Sequence, residues 1–435
     1  MLTIVKQAFR ASILHCLADP GEDSRASAYE FFEDGLLLIE DGVILEANHA
    51  ANLLPGLGED VLITEFRDKI IVPGFVDCHV HFSQLDIIAS YGERLLDWLH
   101  RYAYPAELRF ADPDYAREVA TVFVDELLAN GTTTAMVFGT VHPHSADAIF
   151  EVALARDMRL IAGKVLMDCN CPEALQDDAD SAYNDSKVLI ERWHGKGRLG
   201  YAITPRFALT STEQQLRAAA RLGREYPEVW IHTHLAENRE EVEQIATQYP
   251  AARSYLDVYD RFGLLRERAV FAHCLYMDDE DRRTMASKGG AAAFCPTSNL
   301  FLGSGLFDLA AMRAANIRCG LGTDVGGGTS LSMLRTASEA YKVLHLQEHA
   351  LPATRALYLA TLGAAEALYL DDRIGNFLPG KEADFVVLDP GGSRLTARRV
   401  AAAASIEEAF FALLTLADDR HVAGTFLCGK RQTGN

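Results

Sequence analysis

No run of 18 uncharged apolar residues occurs in this sequence, so no helical membrane span is expected. Basic patches are missing as well. Against 61 acidic residues stand 41 lysines and arginines, scattered among the acids, for a formal net charge of −20. That balance repels a polyanion such as DNA, and a nucleic-acid partner is not expected. Paired cysteines are also lacking. The eight cysteines (16, 78, 169, 171, 274, 295, 319 and 428) contain no CxxC set, and Cys169-Asn170-Cys171 is the one close pair. Free thiols in a reducing compartment are the expectation, rather than a disulfide or thiolate-metal framework. The opening MLTIVKQAFRASILHCLADPGEDS has no basic stretch followed by a clean apolar core, as a secretory leader would have. A cytoplasmic protein with no membrane partner is expected.

What is present is core-forming material. Apolar residues make up 49% of the chain, enough to bury a large interior, and 435 residues exceed one simple domain. Residues 1–69 read as short strands, with LLLIEDGVILEANHA forming a hairpin around Asp41-Gly42. From residue 70 strands and amphipathic helices alternate. Strands are expected at 70–77, 132–139, 159–167, 199–205, 229–235, 269–274, 291–296 and 317–324. Between them stand helical stretches such as YAREVATVFVDELLANG and STEQQLRAAARLGREYP, stopped at breakers such as Asn130-Gly131 and Gly289-Gly290. Eight such units over 70–370 predict a (β/α)8 TIM barrel, with a doubly wound sheet as the alternative. Residues 371–435 return to strand character in RIGNFLPGKEADFVVLD and HVAGTFLCGK. With 1–69 they are expected to build one small β-sandwich domain from both termini. The alanines at 400–404 read as helix.

In a parallel barrel the reacting groups come from the carboxyl ends of the strands. Here those ends carry a coherent set: His79 and His81, then Arg206 and Phe207, then His232, His234 and Glu237, then His273 and finally Asp324. His79 and His81 lie two apart, so both rings face one side of their strand and can hold a divalent metal. His232 and His234 share a face in the same way. His234, nearer the strand end, is the preferred ligand, and His232, one layer deeper, is read as packing or as a support for a ligand. Three or four nitrogen and oxygen ligands with one open position make a metal a Lewis acid that lowers the pKa of water towards ~7. Asp324 can accept the water proton, Glu237 can carry a proton to a ring nitrogen and then to a leaving amine, and His273 can donate to the attacking oxygen. No bridging lysine stands in LGYAITPRF, which favours one metal over two.

These motifs, PGFVDCHVHFSQ, TPRFALT, HTHLAEN, AHC and LGTDVGGG, resemble the amidohydrolase superfamily in its mononuclear deaminase branch, over nearly the whole chain. GNFLPGKEADFVVLD resembles that group's return into the split β domain. Within the branch, Gln84, SYGERLLDWLHRYAYPAE, TPRF and GTDVGGGTSLSML resemble guanine deaminases. The resemblance implies one Zn2+ per subunit, with iron as the alternative, bound by His79, His81, His234 and Asp324. It implies Glu237 as proton shuttle, His273 and Asp324 as further catalytic groups, and Gln84, Arg206 and Phe207 as purine contacts. The implied reaction is hydrolysis of guanine at C2 to xanthine and ammonia, by a hydrolase acting on the C–N bonds of cyclic amidines. The implied assembly is a homodimer. Arg and Gln donors suit the C6 carbonyl that adenine lacks.

Other readings remain at this point. The same metal core would serve 8-oxoguanine, a pterin or an aminotriazine, and a non-catalytic scaffold of the superfamily is the remote case. His345-Leu346-Gln347-Glu348-His349 matches the inverted zincin pattern H-x-x-E-H, with a solvated helix face as the plain alternative. His142 and His144 are read as an exposed loop, His100 as lying near the pocket lid, and Trp98 as packing rather than stacking on a base.

Overall fold

The computed structural model describes residues 6–58 and 61–432. Sixteen strands are found among them. β1 (Lys6–Cys16), β2 (Tyr29–Glu40), β3 (Val43–His49) and β4 (Leu62–Pro73) precede the barrel, and β14 (Phe385–Leu388), β15 (Val422–Leu427) and β16 (Lys430–Arg431) follow it. These seven form one sheet in the order β16-β15-β14-β4-β1-β2-β3. Chain ends more than 300 residues apart thus pair directly, β4 with β14. The hairpin expected at Asp41-Gly42 joins β2 to β3, with Glu40 opposite Val43 and φ of 49° and 82° at the two turn residues. Two consecutive positive φ values match the primed turns whose twist suits a hairpin. Register shifts within β1, β2 and β14 bend the sheet. One face then closes over a core in which Phe9 meets Phe385 at 4.9 Å and Phe426 at 5.3 Å. This is the β-sandwich built from both termini.

The barrel strands are β5 (Phe75–His81), β6 (Thr132–Phe138), β7 (Arg159–Gly163), β9 (Leu199–Pro205), β10 (Trp230–Leu235), β11 (Ala269–His273), β12 (Ala291–Phe294) and β13 (Arg318–Leu321), hydrogen-bonded in that order. A short β8 (Val165–Leu166) pairs with β9. Apart from Arg318 every residue of the eight is buried, as parallel strands covered on both faces require. The circle closes where His81 N donates to Val325 O and Asp324 N to His79 O, each at 2.8 Å. The fold is a (β/α)8 TIM barrel.

Helix boundaries follow local chemistry. Pro113–Ala129 stops before Gly131 at φ 82°, and Asp279–Lys288 starts under an Asp278 cap and stops at Gly289 at φ 77°. The expected first strand, 70–77, is divided at Gly74 between β4 and β5, and several elements are shorter than their sequence patterns. The third barrel strand ends at Gly163 rather than 167, and the last at Leu321 rather than 324. Beyond Leu321 the backbone is held by Asp77, whose carboxylate accepts from Thr323 N and Oγ1, and turns at Asp324 with φ 49°. The helix Arg394–Ala401 ends inside the alanine run. Two compact units emerge. One gathers the described chain through Val76, Asp125–Thr134 and the described chain from Ser332 on, with the H-x-x-E-H segment; the other, Asp77–Val124 with Ala135–Leu331, holds the candidate residues at the barrel's strand ends.

Candidate active site

Strand ends deliver His79 and His81 from β5 and His234 from β10, while Asp324 arrives from the turn after β13. Their ligating atoms converge. His81 Nε2 lies 3.2 Å from His79 Nε2 and 3.2 Å from His234 Nε2, and Asp324 Oδ1 lies 3.1 and 3.3 Å from His79 and His81 Nε2. A tetrahedral centre about 2.0–2.1 Å from each ligand sets neighbouring ligands ~3.3 Å apart. Three imidazole nitrogens and a carboxylate packed at that spacing fit a divalent metal, and all four residues are buried.

The ligands are held from behind. His79 Nδ1 lies 2.8 Å from His232 Nε2, so His232 supports a ligand and is not one. His234 Nδ1 donates to Arg206 O at 2.7 Å, which leaves the Nε2 lone pair for the metal. Burial, reinforced by His79 and His81, pushes His234 well below the ordinary histidine range, and burial lowers His81 to about 4. Both rings are thereby kept as neutral donors of electron pairs. Cys295 approaches His273 and Asp324, and burial and then Asp324 raise its thiol well above its ordinary value.

Two carboxyls at the centre are driven apart. Burial, then Asp324 and then Glu241, raise Glu237 well above its ordinary value, which favours its protonated form. Burial also opposes ionisation of Asp324, but the charge of His79 and the hydrogen bonds from His79 and His81 outweigh it and hold that carboxyl well below the usual range. Titratable neighbours pushed in opposite directions mark an acid and a base. His273 sits between them, its Nε2 3.4 Å from Glu237 and 3.7 Å from Asp324, without a hydrogen-bond partner among the described residues. Asn299 Nδ2 lies 2.9 Å from His273 Nδ1. An amide nitrogen only donates, so Nδ1 accepts and Nε2 carries the hydrogen. Ala236, His273 and Asp324 all adopt positive φ, at 50°, 74° and 49°, strain of the kind that concentrates at reacting centres.

A cavity opens on these groups. Gln84, Arg206 and Phe207 line it together with His81, His234, Glu237 and Asp324, so the sequence-derived contacts and the metal ligands face one space. Two residues of that region had other or no roles in the sequence reading. Trp98, expected as packing alone, is buried and also lines the cavity beside Leu99 and Leu302. Glu107 had no role there, yet it is enclosed against Arg206 and Gln84. It lies in SYGERLLDWLHRYAYPAE, and a lone acid in a helical run carries no local signal. His100 lines a second pocket with Leu96 and Tyr104.

Other sequence candidates stay apart from the centre. His345 closes the helix Met333–His345 and stacks on Tyr341 at 5.5 Å, while His349 lies beyond the helix, after Glu348 at φ 63°, and pairs with Glu22. The helix ends inside H-x-x-E-H, so its histidines cannot share a face, and the zincin reading falls. His142 leads into the helix Pro143–Ala155, and His144 Nε2 binds Phe110 O at 2.6 Å. None of the eight cysteines forms a disulfide.

The amidohydrolase family model matches residues 70–431. Guanine deaminase of Escherichia coli is 50% identical over 405 residues, covering 93% of this chain and 92% of its own length. A solved structure of E. coli guanine deaminase matches with a TM-score of 0.96 and 48% identity, covering 98% of this chain and 99% of that one. The guanine deaminase of C. acetobutylicum, solved with guanine bound in its active site, matches with a TM-score of 0.89 and 25% identity, over 98% of this chain and 99% of that one. With the family model spanning the barrel and the return segment, the chain belongs to the amidohydrolase family.

Proposed function

We propose that this chain hydrolyses guanine to xanthine and ammonia. The observation that carries the reading is the pair Glu237 and Asp324, one acid raised and one lowered, lining one cavity with His81, His234, Gln84 and Arg206. The guanine deaminases named above, alike over almost their whole length, support the substrate. Three nitrogens and one oxygen at tetrahedral spacing support Zn2+, and iron accepts the same set. When bound, the metal supplies a Lewis acid that eases the loss of a proton from water at neutral pH.

The protein's own groups do the rest. Gln84 and Arg206 hold the C6 carbonyl, and Phe207 lies against the ring. Asp324 takes a proton from water as its oxygen bonds to C2. His273 donates from Nε2 to that oxygen. Glu237 gives its proton to N3, regains one from the added hydroxyl and passes it to the exocyclic nitrogen. The C2–N bond then breaks, ammonia leaves, and the proton held by Asp324 passes to Glu237, which restores both groups. A cytoplasmic homodimer, and a division into a β domain over 1–69 and 371–435 and a catalytic barrel over 70–370, belong to the same proposal. Loss of guanine absorbance on adding the purified protein tests it. Glu237→Gln is expected to keep its metal and lose turnover by about 10³-fold or more. A metal-loaded wild type inert towards guanine would overturn the reading, and an active Glu237→Gln would remove that residue from the mechanism.

A further inference from the structure

Glu107, on the short helix Tyr104–Leu108, is a wholly buried carboxylate that none of the steps above uses. Arg206 Nη1 donates to both its oxygens, at 2.7 and 2.8 Å, with the two side chains 3% and 1% exposed. Gln84 Nε2 donates to Glu107 Oε1 at 3.1 Å. At its other end the Gln84 amide accepts from Gly326 N at 3.2 Å. A carboxylate only accepts and a peptide N–H only donates, so these neighbours permit one orientation of the Gln84 amide. The flipped amide would set oxygen against oxygen at Glu107 and N–H against N–H at Gly326. One Nε2 hydrogen is spent on Glu107, and the other is left for the cavity. Arg206 is anchored through Nη1, with the Tyr104 ring 5.3 Å from its guanidinium carbon, and keeps Nε and Nη2 for a ligand. A bare guanidinium buried to this degree would also be an uncompensated charge that draws anions. Beside Glu107 the pair is neutral.

We propose that Glu107 is the positioning residue that sets specificity for an uncharged ring carbonyl, by locking Gln84 and Arg206 as two convergent donors and cancelling the charge of the second. The inference rests on the purine reading above and names which atom of the ring the site selects. Removing an acceptor shared by two donors leaves both free to rotate and one charge unpaired, so the loss falls on ligands that carry the carbonyl. Ligands held by the apolar walls and the metal alone are spared.

The test compares the metal-loaded wild type with Glu107→Gln, using two ligands without an exocyclic amine: hypoxanthine, which has the C6 carbonyl, and purine, which lacks it. In the variant the inhibition constant of hypoxanthine is expected to rise about 10- to 100-fold while that of purine moves less than about threefold, at unchanged metal content. Equal losses for both ligands would mean a general packing role and overturn the proposal, as would no loss for hypoxanthine. Where Glu107→Gln fails to fold, Glu107→Asp keeps the charge and withdraws the acceptor by one methylene. The same selective loss is expected there, and equal losses again overturn it. Wild-type ammonia release from guanine separates the two conclusions. Its absence defeats the purine reading, whereas its presence with equal losses defeats only the role of Glu107.

Discussion

A single hydrogen bond decides where the proton of His273 resides. The Asn299 amide nitrogen faces Nδ1, so the Nε2 hydrogen points towards Glu237 and Asp324. Burial, working against the attraction of Asp324, lowers His273 to about 3, so the ring donates without becoming charged near neutrality. Asn299→Leu frees the ring to take the other tautomer. It is expected to cost about 10- to 100-fold in kcat with metal content unchanged, read by ammonia release beside elemental analysis. A variant with wild-type kcat would show that Asn299 does not set the tautomer. The residues legible from sequence were those whose chemistry announces itself at a strand end: His79, His81, His234, His273 and Asp324. Asn299 and Glu107 were not legible, because each gains meaning only from a partner that the fold brings to it, 26 residues away for Asn299 and 99 for Glu107 and Arg206.

Among the elements, the helix Arg239–Gln248 shows how a helix start fixes a catalytic loop. Asn238 caps it, and Glu241 Oε2 accepts from Glu237 N at 2.9 Å and Asn238 N at 3.1 Å, while Oε1 accepts from Tyr255 OH at 2.7 Å. The loop that presents Glu237 is pinned by this reciprocal cap. The carboxyl is fully enclosed, and burial raises it to about 7 from an ordinary 4.5. Between those values the folded chain holds a proton that the unfolded chain has released. Stability therefore falls as pH climbs from 4.5 to 7 and levels off above. Glu241→Gln keeps an acceptor for both peptide N–H groups and abolishes the titration. Denaturant unfolding across that pH range is expected to show a shallower fall in the variant, by on the order of 3 kcal/mol or less. Identical slopes would mean that Glu241 carries no such coupling. The helix and strand patterns themselves were legible, with losses at the expected strand 70–77, which Gly74 divides between two strands, at the end of strand three, and at the end of strand eight, where Asp77 and the Asp324 turn override the apolar run.

For the whole molecule, the candidate ligands of the metal cluster come from β5, β10 and the turn after β13, so a bound ion ties together segments that the chain separates by 153 residues (His81 to His234) and 90 residues (His234 to Asp324). An ion that binds only the folded state stabilises it by mass action. Chelation is expected to lower Tm by several degrees and abolish guanine turnover, with both restored by added Zn2+, followed by thermal unfolding and ammonia release. A chelated, metal-free sample with unchanged Tm would show that the ion is no part of the fold's stability. By itself the sequence determined the alternation of strands and helices, the Asp41-Gly42 hairpin and the residue types at the barrel's strand ends, because periodicity and turn chemistry are local. Only the tertiary structure decided that His232 backs a ligand, that Trp98 lines the cavity, that the helix ends within His345–His349, and that Glu107 joins Gln84 to Arg206. Those facts depend on which distant segments share one interior, where burial gives each charge and each hydrogen its place.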